Sequence, residues 1–292
     1  MTYRRTTHPA KLLRIGLTVA CLAAATLYAP SARADHQASV VKVERLTHNV
    51  KRVRFKAAAD EFTFKAGHFI LLKLPKSYLK DFNKQRGTNH KNIARPYSFA
   101  SAPSEAPYFD LIVKHYPAPP DKDVPPGLAS TFIHQQLSPG DDVTFSDPMG
   151  TLYSPNESHD PIILVAGGVG ASPLIGLLKH WFDEGLDKDR EIYFFFGVRS
   201  KQDFFLIGDL ADWANRRKNF KYVLALDHPE PADNWTGETG YINAILDRHF
   251  NAPLSADVYI AGSPIMIRET AKVLRAKQVP EDRIHHDPIK VQ

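Results

Sequence analysis

The sequence predicts two domains: an antiparallel β-barrel, then an α/β domain built on a doubly wound parallel sheet. Three observations carry this prediction. From Val40 to Leu74 the chain is a series of short β-type segments divided by turn residues, with no sustained helical period. From Ile162 onward, apolar runs of strand length alternate with helical patterns, as parallel strands joined by helical crossovers require. The third is Ile162 to Ala166, a β-branched run ending in Gly167-Gly168-Val-Gly170, after which Leu174, Leu177, Leu178, Trp181 and Phe182 fall at i, i+3, i+4, i+7 and i+8. The glycines allow a turn that a Cβ obstructs, and Pro173 suits the first turn of the helix. Unpaired N–H groups at the positive end of that helix make a seat for a diphosphate.

A chain of 292 residues has room for two cores, and 43% hydrophobic with 24% charged residues is the composition of a soluble globular protein. The first 34 residues differ. Arg4, Arg5, Lys11, Arg14 and Arg33 are basic, no acid precedes Asp35, and a mostly apolar run from Ile15 to Ala29 ends near Ser31-Ala-Arg-Ala34. This layout predicts a signal peptide or N-terminal anchor over 1–34, hence an exported, periplasmic or membrane-associated protein. The apolar run is shorter than the roughly 20 residues of a membrane span, which favours cleavage over anchoring. An Arg-rich, acid-free start also suits a mitochondrial presequence, the alternative localisation. The leader's five basic residues account for the whole +5 formal charge, so the rest of the chain is neutral and nucleic-acid binding is excluded. Cys21 is the only cysteine. Beyond the leader there is no disulfide and no thiolate for an iron–sulfur cluster, so a metal redox centre belongs to a partner.

Taken in order, Val40–Val43, Val50–Phe55 and His68–Leu74 are expected strands of the barrel. Lys76 to Ala94 carries Lys76, Lys80, Lys84, Arg86 and Lys91 against a single acid, Asp81, and is expected as a solvated loop. Its functional reading is a docking surface for an acidic partner. Arg95-Pro-Tyr-Ser98 follows, one cation, one aromatic plane and one hydroxyl on an extended segment, with Arg95 and Tyr97 on the same side of the pleat. Phe109–Lys114 is another strand. After the Pro-rich loop Pro117–Pro126, Gly127 to His134 forms a short helix with Ser130 in its first turn, a second helix start suited to an anion. Val143–Phe145 is a strand, Pro148-Met-Gly150 closes the first domain, and Ser154–Pro161 is the expected hinge between domains at 38–153 and 160–292.

In the second domain Glu191–Gly197, Phe220–Leu226 and Asp257–Ala261 are expected buried strands. Asp203–Arg216, Tyr241–Phe250 and Ile265–Lys277 are expected helices. Ligands of such a sheet sit beyond the carboxyl ends of its strands. Three ends carry suitable residues: Gly167-Gly168-Val-Gly170, Gly197-Val-Arg199-Ser200 and Ala261-Gly262-Ser263-Pro-Ile-Met266.

A barrel bearing Arg-x-Tyr-Ser, a Gly-x-x-Ser helix start, then Gly-Gly-x-Gly-x-x-Pro, Gly-x-Arg and Gly-Ser-Pro-x-Met, in that order over Val40 to Asp287, resembles the ferredoxin–NADP reductase superfamily. It looks closest to the bacterial oxygenase-reductase and flavin-reductase branches. The resemblance implies FAD in the barrel, with Arg95 on its diphosphate, Tyr97 packed on the isoalloxazine and Ser98 beside flavin N5. Tyr97 and Ser98 are thereby the catalytic positions. It implies that Gly127 and Ser130 hold the diphosphate at the second helix start, and it adds Lys114 to the cofactor-binding positions. Gly167, Gly168, Gly170, Ser172 and Pro173 would form the dinucleotide turn, with Gly262, Ser263 and Met266 near the nicotinamide. Arg199 and Asp227 fall where the family meets the adenosine ribose. A carboxylate at Asp227 repels a 2′-phosphate and accepts ribose hydroxyls, favouring NADH; Arg199 pulls the other way and leaves NADPH open. Ala261 stands where a cysteine is common, and of the family's C-terminal ending only Asp287 is carried over. His285-His286 lacks further ligands, and no metal is expected.

The implied function is an NAD(P)H-dependent flavoprotein reductase. A hydride moves from nicotinamide to FAD, and electrons then pass to a protein, quinone or flavin acceptor. No Ser–His–Asp constellation competes with this. The leader conflicts with it, because pyridine nucleotides are kept inside cells. The alternative is a non-catalytic flavin- or nucleotide-binding accessory subunit, or an electron carrier, of a membrane redox complex.

Overall fold

The computed structural model describes residues 35–118, 120, 124–152, 158–186 and 188–286. The leader over 1–34, the first part of the expected hinge from Ser154, and Asp287 lie outside the described residues.

The first half forms β1 (Asp35–Arg45), β2 (Val50–Ala57), β3 (Phe69–Lys73), α1 (Lys76–Arg86), β4 (Ala94–Ser98), β5 (Tyr108–Lys114), α2 (Leu128–Gln135) and β6 (Asp142–Ser146). The strands lie in the order β4-β3-β6-β1-β2-β5, and every pairing is antiparallel. The outer strands meet where Phe99 bridges Leu111 and the Ala100 amide donates to the Asp110 carbonyl, so the sheet closes as a barrel. Alternate residues Val53, Phe55 and Ala57 of β2 point inward. Phe62, Phe99, Phe109 and Phe145 complete an aromatic core with ring centroids 5.3 to 6.4 Å apart.

The expectation of a solvated loop over Lys76–Ala94 is corrected: its first half is helix α1. Leu79 and Phe82 are its buried positions at i and i+3, the Tyr78 ring lies tilted against Phe132 with centroids 5.0 Å apart, and Gly87 ends the helix in the left-handed region at φ 65°.

The second half forms β7 (Ile162–Gly167), α3 (Ala171–Glu184), β8 (Ile192–Val198), α4 (Ile207–Arg216), β9 (Phe220–Leu226), β10 (Glu238–Thr239), α5 (Ile242–His249), β11 (Asp257–Ala261), α6 (Pro264–Ala276) and β12 (Ile284–His286). Its strand order is β10-β9-β8-β7-β11-β12, all parallel. The order reverses between β7 and β11, which makes the loops after these two strands the crevice of the sheet. Helix α4 begins at Ile207 rather than Asp203, because Asp203 instead accepts from the Ser200 hydroxyl and closes a single tight turn. Strands β10 and β12 were not anticipated; at two and three residues they are too short to show a period.

Each sheet has a core of its own, and a third cluster joins them. This joining cluster takes Val50, Ala66, Ala100, Ile112 and Leu152 from the barrel side and Leu164, Leu174, Leu178 and Trp181 from the α/β side. The described end of the expected hinge is held to the second sheet: Asp160 accepts from Arg283 (2.7 Å) and Ser255 (2.7 Å), and the Pro161 carbonyl from the Asp257 amide.

Candidate functional site

Two cavities, of about 750 and 630 Å³, open at the junction of the sheets. They share Lys114, Gly167, Gly168 and Ser263 in their walls, so they meet at the end of β7.

The larger cavity is bounded by β4 and the start of α2 on the barrel side. Pro96, which has no N–H to give, is tolerated because β4 is the terminal strand of its sheet. Arg95 is exposed, and its guanidinium donates to the Ala94 carbonyl at 3.0 Å. Tyr97 is half-buried; burial of its phenol outweighs the nearby Arg95 charge and raises it above the ordinary tyrosine range, so the ring is neutral. The Ser98 carbonyl accepts from the Ser172 hydroxyl at 3.5 Å, joining the barrel to the first turn of α3. Lys114 closes β5 beside both cavities.

Helix α2 starts from Gly127 and has no side-chain cap, which leaves its first N–H groups toward the cavity. The Ser130 hydroxyl donates to the Gly127 carbonyl (2.9 Å) and accepts from the Tyr116 amide (3.3 Å). It fastens the loop to the helix, so an anion at this helix start meets backbone N–H groups rather than a free hydroxyl.

The turn after β7 uses its glycines in different ways. Gly168 sits at φ 52° with open space where a Cβ would project, so its backbone conformation is what demands glycine. A Cβ on Gly170 would lie 2.4 Å from the Ala261 carbonyl oxygen, and one on Gly167 would lie 2.2 Å from Met266 Sδ. Those two let the turn close against β11 and α6. Helix α3 has no side-chain cap either, and Ser172 and Pro173 are buried in its first turn.

The smaller cavity runs along the carboxyl ends of β8 and β9. Arg199 is exposed beside it; Asp203, Asp227 and Glu269 contribute three carboxylates to its wall. Asp227 Oδ1 lies 3.2 Å from His228 Nδ1 but accepts no hydrogen bond. Ser263 caps α6, its Oγ accepting from the Met266 amide at 3.3 Å. Gly262 lines the larger cavity and Met266 the smaller. Sequence reasoning missed Tyr241, Asn243, Ile265 and Glu269 here, and Ile112, Val113, Tyr116 and Val169 in the larger cavity. Tyr241 and Ile265 are 65% and 63% exposed, unusual for large apolar side chains, but only the topology places both at helix starts on the carboxyl side of the sheet.

Two uncapped helix starts, one guanidinium and one neutral aromatic plane around a single cavity fit a flavin dinucleotide. A glycine turn with carboxylates at the next strand ends fits a second dinucleotide.

The comparisons with known proteins agree with this. Residues 37–153 match the family model of the oxidoreductase FAD-binding domain, and residues 164–272 that of the oxidoreductase NAD-binding domain. A subunit of the Na(+)-translocating NADH-quinone reductase of Neisseria meningitidis serogroup B is 32% identical over 249 residues, covering 77% of this chain and 60% of that protein. The chain thus spans about three fifths of that relative's length. Among solved structures, the cytochrome P450 reductase GcoB of Amycolatopsis superposes with TM-score 0.71 at 23% identity, over 87% of this chain and 69% of that one. The cytochrome b5 reductase domain of Ulva prolifera nitrate reductase gives 0.70 at 20% identity, over 87% and 97%. These two show a shared fold.

Fold and site therefore define a two-domain flavin- and nicotinamide-nucleotide-binding protein. The chain belongs to the ferredoxin–NADP reductase superfamily.

Proposed function

We propose that this protein is an FAD-dependent NADH reductase that delivers electrons to a separate acceptor. The observation that carries the reading is the shared wall of the two cavities at Lys114, Gly167, Gly168 and Ser263, across which the reactive ends of two dinucleotides could meet. When bound, the cofactors supply the redox chemistry, a hydride passing from nicotinamide C4 to flavin N5 before electrons leave for the acceptor. The chain's part is binding and orientation. Arg95 and the uncapped start of α2 would hold the flavin diphosphate, and Tyr97 and Ser98 would border its ring system. The Gly167–Gly170 turn with Ser172 and Pro173 would seat the second diphosphate, and Gly262, Ser263 and Met266 would border the nicotinamide. Asp203, Asp227 and Glu269 in the smaller cavity disfavour a 2′-phosphate and outweigh Arg199, which supports NADH. The relative named above belongs to an NADH-quinone reductase, in keeping with that donor.

The acceptor docks on the exposed face of α1. Lys76, Lys80 and Lys84 recur every four residues, and with Arg86 and Lys91 they make no ion pair among the described residues. The Tyr78 hydroxyl donates to the Leu128 carbonyl at 3.0 Å, which ties this helix to the wall of the flavin cavity. Residues 1–34 direct export or membrane association. That the relative is one component of a complex favours a second reading, an electron-carrying or accessory role in a larger assembly.

Anaerobic reduction of the FAD-loaded protein by NADH and by NADPH decides between these. Bleaching of the flavin by NADH, at least tenfold faster than by NADPH, is the expected result. A flavin that neither nucleotide reduces supports the accessory role, NADPH as the faster donor overturns the argument from Asp227, and a chain that retains no FAD ends the proposal.

A further inference from the structure

Helix α3 presents one stripe to the barrel. Ser172, Gly176, Lys179 and Asp183 recur at i, i+4, i+7 and i+11, an arc of about 60° on a helix of 3.6 residues per turn. All four meet the short segment Ser98–Glu105 that continues the flavin strand. The Ser172 hydroxyl donates to the Ser98 carbonyl (3.5 Å), and the Ser104 hydroxyl to Asp183 Oδ2 (2.6 Å). At Gly176 the two backbones approach so closely that a Cβ would lie 2.6 Å from the Phe99 carbonyl oxygen and 3.2 Å from that of Ser101. Lys179 Nζ lies 3.4 Å from Glu105 Oε1.

Glu105 is itself anchored in the barrel. Its Oε2 is 2.9 Å from Arg54 Nη2, and its Oε1 accepts the Ala102 amide at 3.1 Å. Burial opposes ionisation of this carboxyl, but Lys179, the Ala102 N–H and Arg54 together hold it below the usual carboxylate range. The carboxylate is thus a fixed post, and Lys179 is the side chain by which α3 is attached to it.

We infer that Lys179, through Glu105, is a positioning residue for the nicotinamide-to-flavin step: it sets the tilt of α3, and so the placement of the Gly167–Gly170 turn against Ser98. The segment and the helix both begin at the cavities and run away from them side by side. Lys179 is seven residues beyond Ser172, a lever of about 10 Å along the helix axis. The close backbone contact at Gly176 between them is a fulcrum, so release at Lys179 lets the first turn of α3 rock where the dinucleotides meet. Neither Lys179 nor Glu105 lines either cavity, so neither acts by touching a cofactor. A partly exposed pair of this kind adds little to overall stability, which separates its positioning role from a structural one.

This rests on the reductase reading above, and its test is chosen to fail separately from it. Wild type, Lys179→Met and Lys179→Arg are compared as FAD-loaded full chains by single-turnover anaerobic reduction over a range of NADH concentrations. The same proteins without FAD are compared by backbone hydrogen exchange. Lys179→Met is expected to lower the limiting reduction rate roughly three- to tenfold, given how steeply such steps depend on placement, with the NADH half-saturation and FAD content unchanged. It is expected to speed exchange at Ala100–Ala106 and in the first turn of α3 but not elsewhere, and Lys179→Arg is expected to restore both. Unchanged rate and exchange, a defect carried wholly by weaker NADH binding, or faster exchange throughout the chain with a lowered Tm each overturns the inference. If NADH does not reduce the wild type at all, the reductase reading falls, and the exchange comparison alone decides whether Lys179 holds the helix.

Discussion

Gly168 and Gly170 look alike in the sequence, two members of one glycine-rich turn, yet they answer to different physics. Gly168 is required by its φ of 52°, with room for a side chain beside it, whereas Gly170 is required by the Ala261 carbonyl pressed against it. A turn motif shows that glycine is wanted but not what each one meets, because Ala261 lies far along the chain. Ser130 has the same limit: its place at a helix start was legible, its hydroxyl's engagement with Gly127 and Tyr116 was not. Arg95, Tyr97, Ser98 and Gly170 could be singled out because their order and spacing survive in the linear chain. They line one cavity. The difference between the glycines is measurable. Gly170→Ala must push the turn off β11, an overpacking cost of about 1–3 kcal/mol, and moves the seat of the second dinucleotide. Gly168→Ala meets only backbone strain, about 1–2 kcal/mol. Thermal unfolding should find both destabilised, but NADH titration should find binding lost in Gly170→Ala and only weakened in Gly168→Ala. Equal binding by the two variants would refute this account of the turn.

At the scale of the element, legibility followed length and burial. Strands β7, β8, β9 and β11 are mostly apolar runs, broken only by Lys221 and the leading Asp257, so each was placed to within a residue or two, and the apolar face of α3 fell where its leucines and Trp181 predicted. Helix α1 was missed because only Leu79 and Phe82 are buried in its eleven residues, too few to stand out against the lysines. The helix turns what looked like a charged loop into a rigid array, with Lys76, Lys80 and Lys84 along one side. Such an array steers an acidic partner at long range, and its effect is screened by salt. Replacing the three lysines by glutamine should slow electron delivery to an acidic acceptor protein by about tenfold at low ionic strength and flatten the salt dependence. Reduction of FAD by NADH in the same variant should be unchanged, since none of the three lines either cavity. Delivery rates that match the wild type across the salt series would remove α1 as the docking face.

At the scale of the whole molecule, the division into barrel and α/β halves was visible in the change of period near Ile162, but the interior they share was not. Periodicity reports which face of an element is apolar and says nothing about which neighbour covers it. Here Val50, Ala66, Ala100 and Ile112 of the barrel are buried in the same cluster as Leu174, Leu178 and Trp181. Separating the halves would expose these side chains, at about 1.5–3 kcal/mol for each large one, against a net stability of only about 5–15 kcal/mol for a typical domain. Both halves draw stability from this shared cluster, beside the cores each has of its own. Full-length protein should therefore unfold in one calorimetric transition whose van't Hoff and calorimetric enthalpies agree. FAD, although held chiefly by the barrel, should raise the melting of both halves together, because a ligand that binds only the native state stabilises everything that unfolds with it. A fragment of residues 35–152 should melt far below the full chain or fail to fold. Two resolved transitions, with FAD moving only one of them, would show that the common core does not couple the two nucleotide-binding lobes.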